Sequence, residues 1–133
     1  LNFESLMDDI ALTLPALMKS QKIQKRASRA GFDWSSLDEY FEKIQEELDE
    51  LKMAIKNNDH DNIEEEIGDL LMILTNLSRH LKVDAETALS KSNRKFEKRF
   101  RYIEDELNKT GKNVNESSLE EMDTLWDEAK LIN

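Results

Sequence analysis

Two groups of carboxylates stand out by their spacing. Glu46-Glu47-x-x-Glu50 is followed, after 15 intervening residues, by Glu66-x-x-Asp69. On an α-helix, turning about 100° per residue, positions three apart share a side, so each group presents an acidic pair. Carboxylates gathered without a counter-charge repel one another and hold their protons more tightly. A divalent cation removes that cost, and an all-oxygen donor set suits Mg²⁺, Mn²⁺ or Ca²⁺. The plainer explanation is a set of solvated helix faces, because 29 acidic residues place some carboxylates beside apolar stripes by chance.

Helices must position these groups, and the composition favours them. With 3 Gly and 1 Pro among 133 residues, and 36% charged against 38% hydrophobic, the chain reads as amphipathic helices with solvated outer faces. Residues 3–13 are weakly helical and stop before Pro15. A first helix runs from Pro15 to Arg29, with Gly31 as its stop. After the loop Gly31-Phe32-Asp33-Trp34, Ser36 and Glu39 form a capping box that opens a second helix reaching Asn57. Asp61 with Glu64 opens a third helix to Leu81, and Asp84 caps a fourth that ends at Thr110 before Gly111. Ser118 with Glu121 starts a last helix to Leu131. The short loops predict an all-α, antiparallel bundle of four to five helices. We expect one domain over residues 1–133, with residues 1–13 a linker or short helix, and the start at Leu1 suggests a piece of a longer chain.

In the second helix Leu37, Phe41, Ile44, Leu48, Leu51 and Ile55 form one stripe, flanked by Glu47 and Glu50, with Glu46 further round. In the third, Ile63, Ile67, Leu70, Leu74, Leu77 and Leu81 do the same; Glu66 sits on the shoulder and Asp69 one turn along. Packing the helices through these stripes predicts that Glu47, Glu50, Glu66 and Asp69 converge. A carboxylate on an apolar shoulder, such as Glu66, needs a partner. Gly68 costs its helix about 1 kcal/mol relative to Ala, and close backbone packing would account for it.

In the fourth helix Lys91, Lys95 and Arg99 line one flank of the stripe Leu89, Phe96, Phe100, Ile103 and Leu107. They form either a solvated face or a cationic wall for phosphates. Trp34 and Trp126 either stack on a base or pack in the core. His60 lies in a polar turn and His80 near a helix end, and neither suggests catalysis.

Several function classes drop out. The formal net charge of −10 argues against nucleic acid and anionic membranes. A polyanionic ligand then requires bound metal or a local basic strip. The absence of cysteine removes disulfides, thiolate catalysis and Cys-based metal sites. The longest clean apolar run, Leu70 to Leu74, is too short for a bilayer, and with no signal peptide visible a cytoplasmic protein is the expectation. His60 and His80 are not preceded by Glu at the Glu-x-x-His spacing of di-iron bundles. Asp59-His60-Asp61-Asn62-Ile63-Glu64 lacks the Gly of an EF-hand, and no Gly-rich phosphate loop exists. A non-catalytic acidic helical interaction module remains open and predicts indifference to Mg²⁺ and nucleotide.

The spacing Glu46-Glu47-x-x-Glu50…Glu66-x-x-Asp69 resembles the EExxE…ExxD signature of MazG-type all-α nucleoside triphosphate pyrophosphohydrolases. The flanks agree over nearly the whole chain: Leu14-Pro15-Ala16-Leu17, Gln21 to Ala27, Gly31-Phe32-Asp33-Trp34, Gly68-Asp69-Leu70-Leu71 and Lys95 to Phe100. The resemblance implies an all-α homodimer that binds Mg²⁺ and hydrolyses nucleoside triphosphates between the α- and β-phosphates. It implies metal ligation by Glu47, Glu50, Glu66 and Asp69. Glu46 and Glu47 become the candidates for orienting water, and Lys43 to Glu47, Lys95, Arg99 and Trp126 would line the nucleotide site. One departure is Asn62, where relatives tend to carry a basic residue.

Overall fold

A computed structural model describes residues 4–132. Their order is α1 (Ala16–Arg29), α2 (Leu37–Lys56), α3 (His60–His80), α4 (Ala85–Lys109), a 3₁₀ turn (Val114–Glu116) and α5 (Leu119–Ile132). No strand occurs among the described residues, and no helix there is long and apolar enough to cross a membrane. The chain packs as two compact units, Leu1–Glu86 and Thr87–Asn133.

Local signals set the helix ends, with two departures from expectation. Ser36 caps α2, its Oγ accepting from Glu39 N at 3.4 Å, while the Glu39 carboxylate accepts from Ser35 N at 3.0 Å. Ser118 Oγ likewise accepts from Glu121 N at 3.1 Å. For α3 the cap is Asp59 rather than Asp61: Asp59 Oδ1 accepts from Asn62 N, and the helix starts two residues earlier than expected. Residues 4–13 form turns, not a helix. The Asp8 carboxylate accepts from Ser5 N and Ser5 Oγ accepts from Met7 N, local bonds that outcompete the helical ladder. Residue 3 lies outside the described residues.

In the first unit, α3 is the central helix. Ring contact between Tyr40 and His80, and approach of Glu47 to Glu66, run α2 antiparallel to α3. On the other side α1 contributes no buried residue and is attached by amides. Gln24 Nε2 donates to Met72 O (3.2 Å) and Thr75 Oγ1 (3.1 Å), and Ser20 Oγ pairs with Thr75 Oγ1 at 2.7 Å. Gln21 Nε2 donates to Thr75 O and Val83 O, while its Oε1 accepts from Ala85 N. Each such bond is worth about 1 kcal/mol net, so geometry rather than bulk burial fixes α1.

The interhelical seam is the main correction. The expected stripes are not the buried seam: Leu37, Phe41, Leu48, Ile55, Ile67, Leu74 and Leu81 are exposed, and Ile44, Leu51, Ile63, Leu70 and Leu77 are only half-buried. The residues buried between α2 and α3 are Tyr40, Glu47 and Ala54 on one side and Glu66, Ile73 and Asn76 on the other. This seam is rotated roughly 80° from the apolar stripes on both helices, toward the acidic flank. Nor does close packing explain Gly68, because a Cβ there would meet nothing within 4 Å.

In the second unit Ile103, Leu107 and Ala129 are buried, Tyr102 OH donates to Glu128 at 3.1 Å and Lys112 pairs with Glu121 at 3.2 Å.

Helix α1 closes with Gly31 N bonded to Ser28 O and Phe32 N to Ala27 O, around Gly31 at φ 86°. Helix α3 closes in the same way, through Lys82 N to Arg79 O and Val83 N to Ser78 O, but with Lys82 at φ 61°. A Cβ makes that conformation costly. Lys82→Gly should therefore raise unfolding free energy by about 1 kcal/mol, measured as a higher urea midpoint at unchanged m-value.

Candidate active site

The turn Asn57–Asp59 reverses the chain so that α2 and α3 present their acidic flanks to each other. Glu47, Glu66 and Asp69 each offer a carboxylate oxygen, all within 4.8 Å of one another. Glu47 is 5% exposed and Glu66 8%. Glu47 Oε2 and Glu66 Oε2 have no hydrogen-bond partner, although buried polar atoms normally find one. Lys43, one turn earlier on α2, reaches Glu47 Oε1 and Glu46 Oε1 at 3.3 Å each.

Protonation shows the same tension. Glu66 is pushed up to about 8, first by its hydrogen bond to Glu47, then by burial and by Glu50. Glu47 is held below the ordinary carboxylate range, first by that same bond, against burial, with Lys43 assisting. The metal-free pair is therefore drawn to share a proton between Glu47 and Glu66. A divalent cation can replace that proton and occupy both unpartnered oxygens. The donor set, hard and anionic, suits Mg²⁺ or Mn²⁺.

Three of the four expected ligands thus converge. Glu50 is exposed but interacts with both Glu47 and Glu66. Glu46 lies outside the trio, with its side chain 57% exposed and tied to Lys43. Lys95, Arg99 and Trp126 belong to the second unit. There the Arg99 guanidinium lies over the Trp126 ring at 5.4 Å, Phe96 lies 5.3 Å from Trp126, and Lys95 is exposed. Arg99 Nε is buried without a partner.

Beside the carboxylates opens a cavity of about 580 Å³ with Lys43, Glu47 and Asp69 in its wall. The rest of the wall is mostly apolar, including Ile23, Ala27, Phe32, Trp34, Met72 and Ile73, with Gln24 and Asn76 as polar points. Trp34 meets Tyr40 edge-on at 4.8 Å, so it is both packed and cavity-lining. Tyr40 OH donates to Asp33 Oδ1 at 3.1 Å, and Arg79 pairs with Asp33 Oδ2. Burial works to raise Asp33, but the bonds from Arg79 and Tyr40 outweigh it and hold its carboxyl low. No spacing in the sequence gives Gln24, Asn76 or Arg79 a role at this site. Asn76 does carry a signal, as an amide two residues beyond the apolar run Leu70–Leu74 and just before Leu77.

The model of the MazG nucleotide pyrophosphohydrolase domain matches residues 35–103, which include every carboxylate of the cluster. The chain belongs to the MazG family. It is 44% identical over 128 residues to the nucleoside triphosphate pyrophosphohydrolase of Escherichia coli K12, covering 95% of this chain and 49% of that protein. A nucleoside triphosphate pyrophosphohydrolase/pyrophosphatase MazG from Thermotoga maritima is 44% identical over 126 residues, with 95% and 48% covered. The uncharacterized protein YabN of Bacillus subtilis is 42% identical over 127 residues, with 95% and 26% covered. The chain therefore spans about half the length, or less, of these relatives.

The metal-free cluster carries a pH signature. Between the ordinary carboxyl value of 4.5 and about 8, Glu66 holds a proton in the folded state that the unfolded chain has released. Its stabilisation is complete below that window and is lost as pH rises through it. Glu47, shifted down, changes only at lower pH. In EDTA the melting temperature should fall from pH 5 to pH 9, and Glu66→Gln should flatten that slope. A wild-type slope retained in the variant would assign the proton elsewhere.

Proposed function

We propose that this chain hydrolyses nucleoside triphosphates to nucleoside monophosphate and pyrophosphate. The observation that carries the reading is the convergence of Glu47, Glu66 and Asp69 beside an apolar cavity whose wall includes Glu47 and Asp69. Family membership and the names of the relatives support the same reaction. Glu47, Glu66 and Asp69 would hold Mg²⁺, or Mn²⁺ in its place, with Glu50 completing the set. When bound, the cation supplies charge neutralisation that lets a triphosphate approach a protein of net charge −10.

The chain's own groups then divide the work. The cavity takes the nucleoside, with the base against Trp34, Ile73 and Met72 and with Asn76 as a polar contact. Lys43 lies between Glu46 and the cavity and donates to phosphate oxygen. Either Glu46 or Glu47 accepts a proton from the attacking water. Supporting Glu46 is its place outside the carboxylate trio, with oxygens open to solvent. Lys95, Arg99 and Trp126, gathered in the second unit, are proposed as nucleotide contacts on the family resemblance alone. A single catalytic domain acting in the cytoplasm, where nucleoside triphosphates are made and used, fits this assignment.

Hydrolysis in ¹⁸O-water tests the bond broken. The label should enter the monophosphate and leave pyrophosphate unlabelled; orthophosphate with a diphosphate product would overturn the assignment. Glu66→Gln and Glu50→Gln should each lower kcat by about 100-fold or more at saturating Mg²⁺.

A homodimer completes the reading. Phe41 is 57% exposed and Ile55 54%, apolar side chains of the α2 stripe that a partner could cover. A two-fold copy covering it would give two sites per dimer. Light scattering should give a dimer mass at micromolar concentration, and Phe41→Glu should shift it to monomer.

A further inference from the structure

The groove at the other face of α1 is the opposite of the acidic site. It encloses about 450 Å³ between α1 and the end of α3. Lys22, Lys25, Arg26, Arg29, Arg79 and Lys82 all line it, with Asp84 as the acidic residue of its own wall, while Arg26 and Arg29 also border a neighbouring hollow lined by Glu4, Asp8 and Asp9. Its floor includes Met18 and Val83. Helical spacing gathers the first four cations: residues 22, 25, 26 and 29 share one side of α1, while Ile23, Gln24 and Ala27 face the nucleoside cavity.

Two of the six cations are engaged. Arg26 donates to Leu6 O and Asp8 O, and Arg79 pairs with Asp33. Among the described residues Lys22, Lys25, Arg29 and Lys82 form no ion pair, although the chain carries 29 carboxylate side chains. In a protein of net charge −10, unpaired cations converging on one concavity are a local reversal of the field. We propose that this groove is a second anion site, separate from the carboxylate cluster, that binds a compact oligophosphate without metal. The rest of the surface repels an extended polyanion such as a nucleic acid, whose charge runs beyond the groove. A diphosphate group keeps all its charge inside. Free pyrophosphate and the phosphate tail of a nucleotide share that chemistry.

Arg79 links the groove to the nucleoside cavity. It lines the groove, and its guanidinium holds Asp33, which lines the cavity and accepts from Tyr40. An anion in the groove competes with Asp33 for Arg79. Occupancy of one site is thereby felt at the wall of the other.

Titration calorimetry of the whole chain in EDTA and low salt tests this, since without metal the carboxylate cluster repels phosphates. Sodium pyrophosphate should bind once per chain, more tightly than orthophosphate. The exposed pair Lys22→Gln/Lys25→Gln should weaken it by at least about tenfold with no change in melting temperature, and Glu66→Gln should leave it unaltered. Asp33→Asn, which keeps an acceptor for Tyr40 but frees Arg79, should tighten it several-fold. ATP binding with the affinity of pyrophosphate assigns the site to the phosphates alone, and ATP binding tenfold tighter assigns it to a nucleotide. No metal-independent heat, binding that survives the double lysine substitution, or tighter binding of a 20-nucleotide DNA through the same lysines would overturn the proposal. These measurements need no turnover, so their failure is distinct from failure of the hydrolase reading.

Discussion

Two buried carboxyls meeting between α2 and α3 constrain the rest of the first unit. Glu47 and Glu66 occupy seam positions that hydrophobic packing would ordinarily fill, and each leaves one oxygen without a donor. Such a pair is strongly unfavourable when both members are ionised. The metal-free protein meets that cost with a shared proton and with Lys43. The fold thus places a repulsive pair where a cation of higher charge can take over the proton's role.

The surroundings hold that pair in place. Tyr40 and Ala54, fully buried one heptad either side of Glu47, keep α2 against α3. Tyr40 is itself fixed by Trp34, His80 and Asp33, and Asp33 by Arg79. On the far side α1 is attached by Ser20, Gln21 and Gln24 to Thr75 and to backbone carbonyls. An amide-tethered helix leaves space beside α3 that a greasy helix would fill. That space is the cavity bordering the carboxylates.

The apolar stripes have a different role from the one their periodicity suggests. A hydrophobic stripe on an amphipathic helix marks a face destined for burial, but not the identity of what buries it. In α2 and α3 the chain buries the neighbouring acidic face, and Phe41, Leu48, Ile67 and Leu74 remain exposed. The charge and size of Glu47, Glu66 and Asn76 are therefore tolerated inside the seam, while the better apolar surface stays available for another chain.

From the sequence alone came the all-α class, the helix spans to within a few residues, Ser36 and Ser118 as caps, Gly31 as a stop, and the five-carboxylate signature. These are local properties: periodicity, capping chemistry and backbone freedom act over a turn or two of chain. The tertiary structure decided what local spacing leaves open. It turned the α2–α3 seam roughly 80° onto its acidic flank, left Glu50 exposed beside the trio, and placed Gln24 and Asn76 in the wall of a cavity. It also moved the α3 cap to Asp59 and kept residues 4–13 out of a helix. Two faces of one helix compete for the same neighbour, and only packing against the other helices settles which is buried.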